Sequence, residues 1–328
     1  PAHNALVEAV LEVQPNTVVV LSCGAAVALP WADRAPAILH SGLSGQAGGG
    51  AIVDVLLGRV NPSGKLAETF PRRLEDTPAF LSFPTDGDGR VRFTERLYTG
   101  YRWYDARDIA PLFPFGHGLS YTTFAYADLI VDQGDWAEAG VLRVGLRVRN
   151  TGQRAGKEVV QLYVAANAPR LPRPKRELRA FAKVALEPGE SAEVRFELTE
   201  RDLSSWDPRL GWRLDSGAVE ILVGASSRDI RLRATVQVEA RRPVRLPLTR
   251  HSPLAAWLAD PAGRATLQPL LERGGSFGGL GDAEDSPMLE AFVGQLPIGK
   301  LVLLGLIDEA TLDRLIETVN REIGAPDR

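Results

Sequence analysis

The stretch LRVGLRVRNTGQRAGKEVVQLYV, residues 142–164, decides how the middle of this chain folds. From Leu142 to Arg149 apolar and polar residues alternate with a period of two, which gives a strand one face for a core and one for water. Asn150-Thr151-Gly152 then supplies turn chemistry, and residues 159–164 resume as a second strand. Outward from there the same texture runs from Phe124 to Val238. Residues 181–186 lead into the turn Glu187-Pro188-Gly189 and residues 194–198 follow it; residues 218–223 and 230–238 complete the set. About seven short strands in roughly 115 residues, with turn signals between them, predict a β-sandwich.

Upstream the texture differs. Residues 3–13 (HNALVEAVLEV) put Leu6, Val7, Val10, Leu11 and Val13 on one helical face, with Asn4 as a cap and Pro15 as a stop. Residues 17–23 (TVVVLSC) form a continuous β-branched run, expected to be a strand buried on both faces as in a parallel sheet. Residues 37–40 (AILH) give a second strand. Residues 46–57 give a helix with Ile52, Val53, Leu56 and Leu57 inward and Gly58 as its stop. This is an α/β layer with too few strands for a complete doubly wound sheet. Residues 61–123 read as loop. Downstream of residue 243, residues 254–258, 267–271 and 287–292 read as short helical pieces and 274–281 (GGSFGGLG) as a flexible loop. Residues 311–323 form an amphipathic helix with Leu312, Leu315, Ile316, Val319 and Ile323 on one face and Asp308 and Glu309 at its positive end. The expected organisation is therefore α/β plus all-β: an incomplete α/β layer over 1–123, a β-sandwich over 124–240 and a helical C-terminal extension over 241–328.

Composition narrows the function classes. With 45% apolar and 24% charged residues among 328, the chain is an ordinary globular one, which excludes disordered and collagen-like classes. Its 38 basic and 41 acidic residues leave −3, so no field points to nucleic acid or an anionic membrane. The single cysteine, Cys23, excludes an intramolecular disulfide and a Cys-rich zinc site. It has no His, Lys or Arg near it in sequence and reads as inert. The longest uncharged apolar run near the C-terminus, 301–307, is far below the roughly 18–20 residues of a membrane span. The chain opens on Pro1 and goes straight into helix-like sequence, with no basic n-region or apolar h-region. The expectation is an upstream part that has been removed or a fragment.

Few residues invite a chemical reading. His3, His40, His117 and His251 show no metal-ligand spacing, and no metal or cofactor is expected. His117, between two glycines, reads as a structural hydrogen-bonding group. His40 ends a buried-type strand, where ligands sit in open α/β sheets, so it either faces a cleft or packs. GLSGQAGGG (42–50) lacks the Lys-Ser/Thr of a phosphate loop and reads as a tight strand-to-helix turn. Glu68, Glu75, Asp76, Asp86, Asp88, Glu95 and Asp105 crowd the loop region; glycosidic chemistry needs two carboxylates flanking a bond, roughly 5–9 Å apart. Glu95 stands out because Phe93, Tyr98, Tyr101, Trp103 and Tyr104 surround it. Sugars stack on aromatics and so do cores, and the favoured role is a structural ion pair, with Arg96 or Arg102 as its partner.

Taken together, PNTVVVLSCGAAVALPW (15–31), GQAGGGAIVDVLLGRVNPSGKLAETFP (45–71), YTGYRWYD (98–105) and PLFPFGHGLSYTTF (111–124) resemble the C-terminal part of glycoside hydrolase family 3 enzymes. VRNTGQRAGKEVVQLYV (148–164), RPKRELRAFAKVALEPGES (173–191) and ILVGASSRDIRL (221–232) resemble that family's fibronectin type III-like domain. Order and spacing match from about residue 2 to 240, and the helical extension resembles the tail of some members. The resemblance implies retaining hydrolysis of terminal β-glycosides. It places the nucleophilic Asp on an N-terminal (β/α)8 barrel and the acid/base Glu in a loop just before the Leu-Pro that introduces the first helix. Pro1 looks like that Pro, so both catalytic groups and the barrel are expected upstream, and this chain alone is expected to be inactive. Where many members carry Trp-Tyr-Pro-Gly-Gln-Glu, this sequence has HSGLSGQA (40–47), so an aromatic wall and a Glu are replaced. The substrate-binding candidates are His40, Ser41, Gln46 and Glu95, the partner is a β-glucoside or oligosaccharide, and no nucleic acid or membrane partner is expected. The competing reading is a non-catalytic carbohydrate- or protein-binding β-sandwich, with Trp206 and Trp212 as its aromatic candidates.

Overall fold

The computed structural model describes residues 2–240 except 84, 86, 135, 168, 209 and 210, together with residues 246–273 and 294–321. The chain divides into two compact units, Pro1–Pro243 and Val244–Arg328. The first unit begins with α1 (Ala2–Val13), β1 (Val18–Leu21), β2 (Ala37–His40) and α2 (Gly48–Leu56). β1 and β2 pair in parallel, Val18 opposite Ala37 through Leu21 opposite His40. α2 ends where expected: the Gly58 amide donates to Val55 O at 2.9 Å, and Gly58 takes a φ of 69°, a conformation that favours glycine.

Burial in this layer departs from the sequence reading. β1 is not buried on both faces; Val18 and Val20 are exposed. Among the described residues it pairs with β2 alone, and only Val19 and Leu21 of β1 pack against the core of this layer. On α1 only Leu11 is buried and Val7 half-buried, while Leu6, Val10 and Val13 (83%) face out. On α2 Ile52 and Val55 turn inward, whereas Val53, Leu56 and Leu57 (63%) are exposed. Asn4 does not cap α1; it lies inside the helix and its Oδ1 accepts from Trp31 Nε1 at 3.0 Å. The small core of this layer is Leu11, Leu29, Trp31, Ala32 and Phe70.

A loop-rich segment containing α3 (Tyr101–Ala106) leads to the β-sandwich. Its strands are β3 (Phe124–Asp132), β4 (Val141–Asn150), β5 (Gly156–Ala166), β6 (Glu177–Leu186), β7 (Ser191–Thr199), β10 (Gly217–Gly224) and β11 (Ile230–Val238), with the short helices α4 (Trp136–Ala139) and α5 (Glu200–Leu203) between them. They form a four-stranded sheet, β11-β10-β5-β6, facing a three-stranded sheet, β3-β4-β7, all antiparallel. The alternation in 142–149 is realised directly: Leu142, Val144, Leu146 and Val148 enter the core beside Val160, Leu162, Leu198, Ile221 and Val223. Two strands escaped the sequence reading, β8 (Ser205–Asp207) and β9 (Gly211–Arg213), which form a small hairpin. They are three residues each, too short to display a period.

The second unit is helical. α6 (Leu254–Ala259), α7 (Pro261–Arg273), α8 (Lys300–Leu303) and α9 (Glu309–Arg321) enclose Trp257, Leu267, Ile298, Leu312 and Val319. α9 buries Leu312, Leu315 and Val319 as its spacing predicts. Asp308 Oδ1 accepts from the Thr311 amide at 2.7 Å, and the Thr311 hydrogen bonds hold its carboxyl below the usual range. Ile323, the 274–281 loop and the 287–292 helix lie outside the described residues. Among the described residues no helix is long and apolar enough to cross a membrane.

Candidate functional site

Three of the four candidate residues gather at the carboxyl end of the parallel pair. His40 closes β2, is exposed, and sets its ring edge-on to Phe70 with centroids 5.4 Å apart. Ser41 continues the pairing: its amide and its hydroxyl both donate to Leu21 O, at 2.8 and 3.0 Å. Gly42 then turns with a φ of 63°, and Gln46 lies exposed just before α2. The glycines at 48–50 form the first turn of α2, as a strand-to-helix turn requires.

Glu95 stands apart from these in the loop before α3. Among the described residues no hydrogen bond or ion pair joins it to His40, Ser41 or Gln46. The expected ion pair with Arg96 or Arg102 is not formed. Arg102 instead meets Glu177 of β6 at 3.3 Å, because α3 packs toward the sandwich and carries Arg102 with it. Glu95 is half-buried and its Oε2 is shielded without a hydrogen-bond partner. Its aromatic neighbours in sequence are mostly structural. Tyr101 packs against Phe115 and Tyr163, Trp103 Nε1 donates to Asp76 O at 3.0 Å, and burial pushes the Tyr104 hydroxyl up to about 12. Phe93 alone of the five is fully open.

Three of the remaining loop-region carboxylates, Glu68, Asp76 and Asp105, are engaged structurally. Glu68 Oε2 accepts from the Ala26 amide at 2.6 Å, and Asp76 pairs with Arg73 at 2.7 Å. Asp105 is buried, which raises its carboxyl, while Arg228 at 2.7 Å and Arg176 at 3.3 Å oppose that shift. A carboxylate gripped by two guanidiniums is a tie, not a proton donor. Asp86 lies outside the described residues. Cys23 is half-buried and unbonded. Among the described residues no three His, Cys, Asp or Glu side chains converge as metal ligands would.

The motif residues converge elsewhere, on a seam between the α/β layer with its loops and the β-sandwich. Asn61 Nδ2 donates to Ala155 O at 2.9 Å while its Oδ1 accepts from Ser120 and Tyr121. Lys65 meets the buried Glu158 at 3.3 Å and donates to Gly118 O at 2.8 Å. Gln161, buried on β5, donates to Gly116 O and Ala225 O and accepts from Tyr163. Asn150 donates to Arg154 O and Leu186 O and accepts from Thr122 and Gly152. His117 contributes its backbone, its carbonyl accepting from Leu66 at 2.8 Å, and stacks its ring on Phe113. Burial first, and Lys65 second, hold that imidazole below its ordinary pKa. Nothing in the periodicity of these stretches indicates such long-range bonds; the only signal is the clustering of Asn, Gln and Gly in otherwise apolar runs.

Two family models match this chain: the glycosyl hydrolase family 3 C-terminal domain over residues 1–121 and the fibronectin type III-like domain over residues 158–227. Among similar proteins, thermostable beta-glucosidase B of Acetivibrio thermocellus is 42% identical over 321 residues, covering 97% of this chain and 42% of that protein. An exo-alpha-(1->6)-L-arabinopyranosidase of Bifidobacterium breve is 40% identical over 303 residues, covering 92% of this chain and 39% of that protein. The crystal structure of a GH3 beta-glucosidase from Bifidobacterium adolescentis superposes with a TM-score of 0.75 at 41% identity, over 81% of this chain and 39% of that one. The chain thus spans 42%, 39% and 39% of the lengths of these three. With both models matched in order along one chain, it belongs to glycosyl hydrolase family 3, of which it carries the C-terminal domain followed by the fibronectin type III-like domain.

Proposed function

We propose that this chain is the C-terminal portion of a retaining β-glucosidase-type hydrolase that cleaves terminal β-D-glycosidic bonds, and that it has no such activity without the barrel that precedes it. The observation that carries this reading is the uncovered apolar face of the α/β layer: Leu6, Val10, Val13, Val18, Val20, Leu56 and Leu57 all lie exposed. Apolar side chains left open on α1, β1 and α2 of one layer belong against another element. The names of the relatives, beta-glucosidases for the most part, support the reaction class.

Retention needs a carboxylate nucleophile and a carboxylic acid about 5–5.5 Å apart. The nucleophile attacks the anomeric carbon as the acid protonates the departing oxygen; water then reverses the step, giving its proton back to the conjugate base. We assign neither role to this chain, in keeping with the structural engagement of Glu68, Asp76 and Asp105. His40, Ser41, Gln46 and Glu95 are the proposed substrate-binding groups. His40 and Gln46 are exposed where a sugar hydroxyl could reach them, and the small Ser41-Gly42 turn leaves a neighbouring aglycone room. A second reading concerns the sugar. The arabinopyranosidase relative matches 92% of the chain, into the helical unit, so the ring accepted is either a glucopyranose or an arabinopyranose.

The test is release of p-nitrophenol from p-nitrophenyl β-D-glucopyranoside and p-nitrophenyl α-L-arabinopyranoside. The purified 328-residue chain should release none. Co-expression with the preceding segment of the A. thermocellus relative should restore turnover, and the preferred substrate decides the sugar. Turnover by the chain alone, abolished by one carboxylate substitution within it, would falsify the proposal.

A further inference from the structure

We propose that the β8–β9 hairpin, through Trp206 and Trp212, is a binding surface for β-linked glucan chains. The two residues stand directly opposite each other in the hairpin register, with ring centroids 5.6 Å apart and planes at 62°. Trp206 is 56% exposed and Trp212 42%. Among the described residues they are the one pair of contacting aromatic rings in which both are exposed. The same sandwich buries Trp136, Phe196 and eighteen aliphatic side chains in one core, so leaving two indoles side by side in water is not a shortage of core.

β8 and the segment leading into it are tied by ion pairs and hydrogen bonds. Asp207, buried directly after Trp206, takes Arg170 at 2.9 Å, and Arg170 reaches on to Asp215 at 3.3 Å. Arg173 donates to Leu203 O at 3.0 Å, and Thr199 and Asp202 close a capping box beneath. The Arg201 guanidinium lies 3.0 Å from the Trp212 ring centroid and occupies one of its faces. Gly211, with a φ of 74°, lies against Trp206, where an added Cβ would sit 3.6 Å from the ring. Rings fixed in this way lose little freedom when a ligand arrives.

The chemistry selects a neutral polyhydroxylated ligand. The faces of a pyranose present C–H groups, which match the negative face of an indole. Arg201 lies over one face of Trp212 and Arg213 donates to Trp212 O, while Glu200 and Asp202 flank Arg201 in sequence, so the mixed charge favours neither an anionic nor a cationic polymer. The choice of β-linked glucose within that class rests on the proposed hydrolase function.

Affinity gel electrophoresis of the 328-residue chain through barley mixed-linkage β-glucan, laminarin or hydroxyethylcellulose, with dextran as the α-linked control, tests this. Retardation is expected in at least one β-glucan and not in dextran. Trp206→Ala and Trp212→Ala should each weaken binding about tenfold, Trp206→Tyr should recover most of it, and Phe181→Ala, an exposed ring on β6, should change nothing. Unchanged mobility in every β-glucan, equal retardation in dextran, or retention in both alanine variants overturns the proposal. Should an alanine variant unfold, the parent decides: its tryptophan emission shifts to the blue on saturation with the β-glucan, and no shift overturns it. Aryl-glucoside hydrolysis by a longer polypeptide whose C-terminal portion is not retarded removes this inference and leaves the function; retardation without hydrolysis does the reverse.

Discussion

The β-sandwich and the α/β layer lie in one compact unit and are both rich in aliphatic residues, yet they dispose of them in opposite ways. The sandwich closes on itself: Leu142, Val148, Val160, Leu162, Leu198, Ile221 and Val223 are wholly enclosed between its two sheets. The layer cannot. With a two-stranded sheet and two helices it encloses five residues and leaves a wider set in water. An identical apolar pattern therefore predicts burial only when enough partners exist to receive it.

The contrast can be broken most directly by matched deletions. Leu162→Ala should cost about 2–5 kcal/mol in urea unfolding, since it opens a void between two sheets. Leu57→Ala on the layer should fall within about 0.5 kcal/mol, as a side chain already in solvent; equal costs would show that the layer's outer face is buried in solution. A smaller effect should come from the seam. Asn150→Ala removes a fully buried amide that serves both a β-turn and the β6 carbonyl, leaving buried groups unpaired, at about 1–3 kcal/mol. The smallest effect should be one of pH. His117 has a folded pKa depressed below 6.5, so the folded protein resists a proton that the unfolded chain accepts. Its contribution is whole above 6.5 and declines as the pH drops toward the folded value. Between about pH 7 and about pH 5 the melting temperature should fall, and His117→Phe, which keeps the ring against Phe113, should flatten that fall.

Strand existence was legible wherever a period could express itself. Residues 230–238 form β11 over those bounds, and 142–149 lies within β4. The β8–β9 hairpin was not legible, because strands of three residues carry no period; in it Trp206 stands opposite Trp212. Inward faces were misread on α1 and α2 for a different reason: helical spacing identifies an apolar stripe and says nothing about whether anything covers it. For the candidate site, the strand end at His40 and Ser41 was legible, since a parallel strand followed by glycine has few other outcomes. The absence of an ion pair between Glu95 and Arg102 was not, because Arg102 is drawn away by Glu177, some 75 residues downstream. The motifs with the clearest family likeness turned out to be bonding residues of the seam, which explains their dense polar texture without any catalytic role.

That seam bears on how chains of this kind can be recombined. A crossover placed where the strand texture starts, between residues 123 and 124, looks clean in sequence. It would nonetheless separate Asn61 from Ala155, Lys65 from Glu158, Gly116 from Gln161 and Asp105 from Arg176, four ties that cross that point. A chimera that exchanges only the sandwich must therefore import the 61–65, 101–105 and 114–122 segments with it, or inherit carbonyls and carboxylates whose partners were left in the other parent.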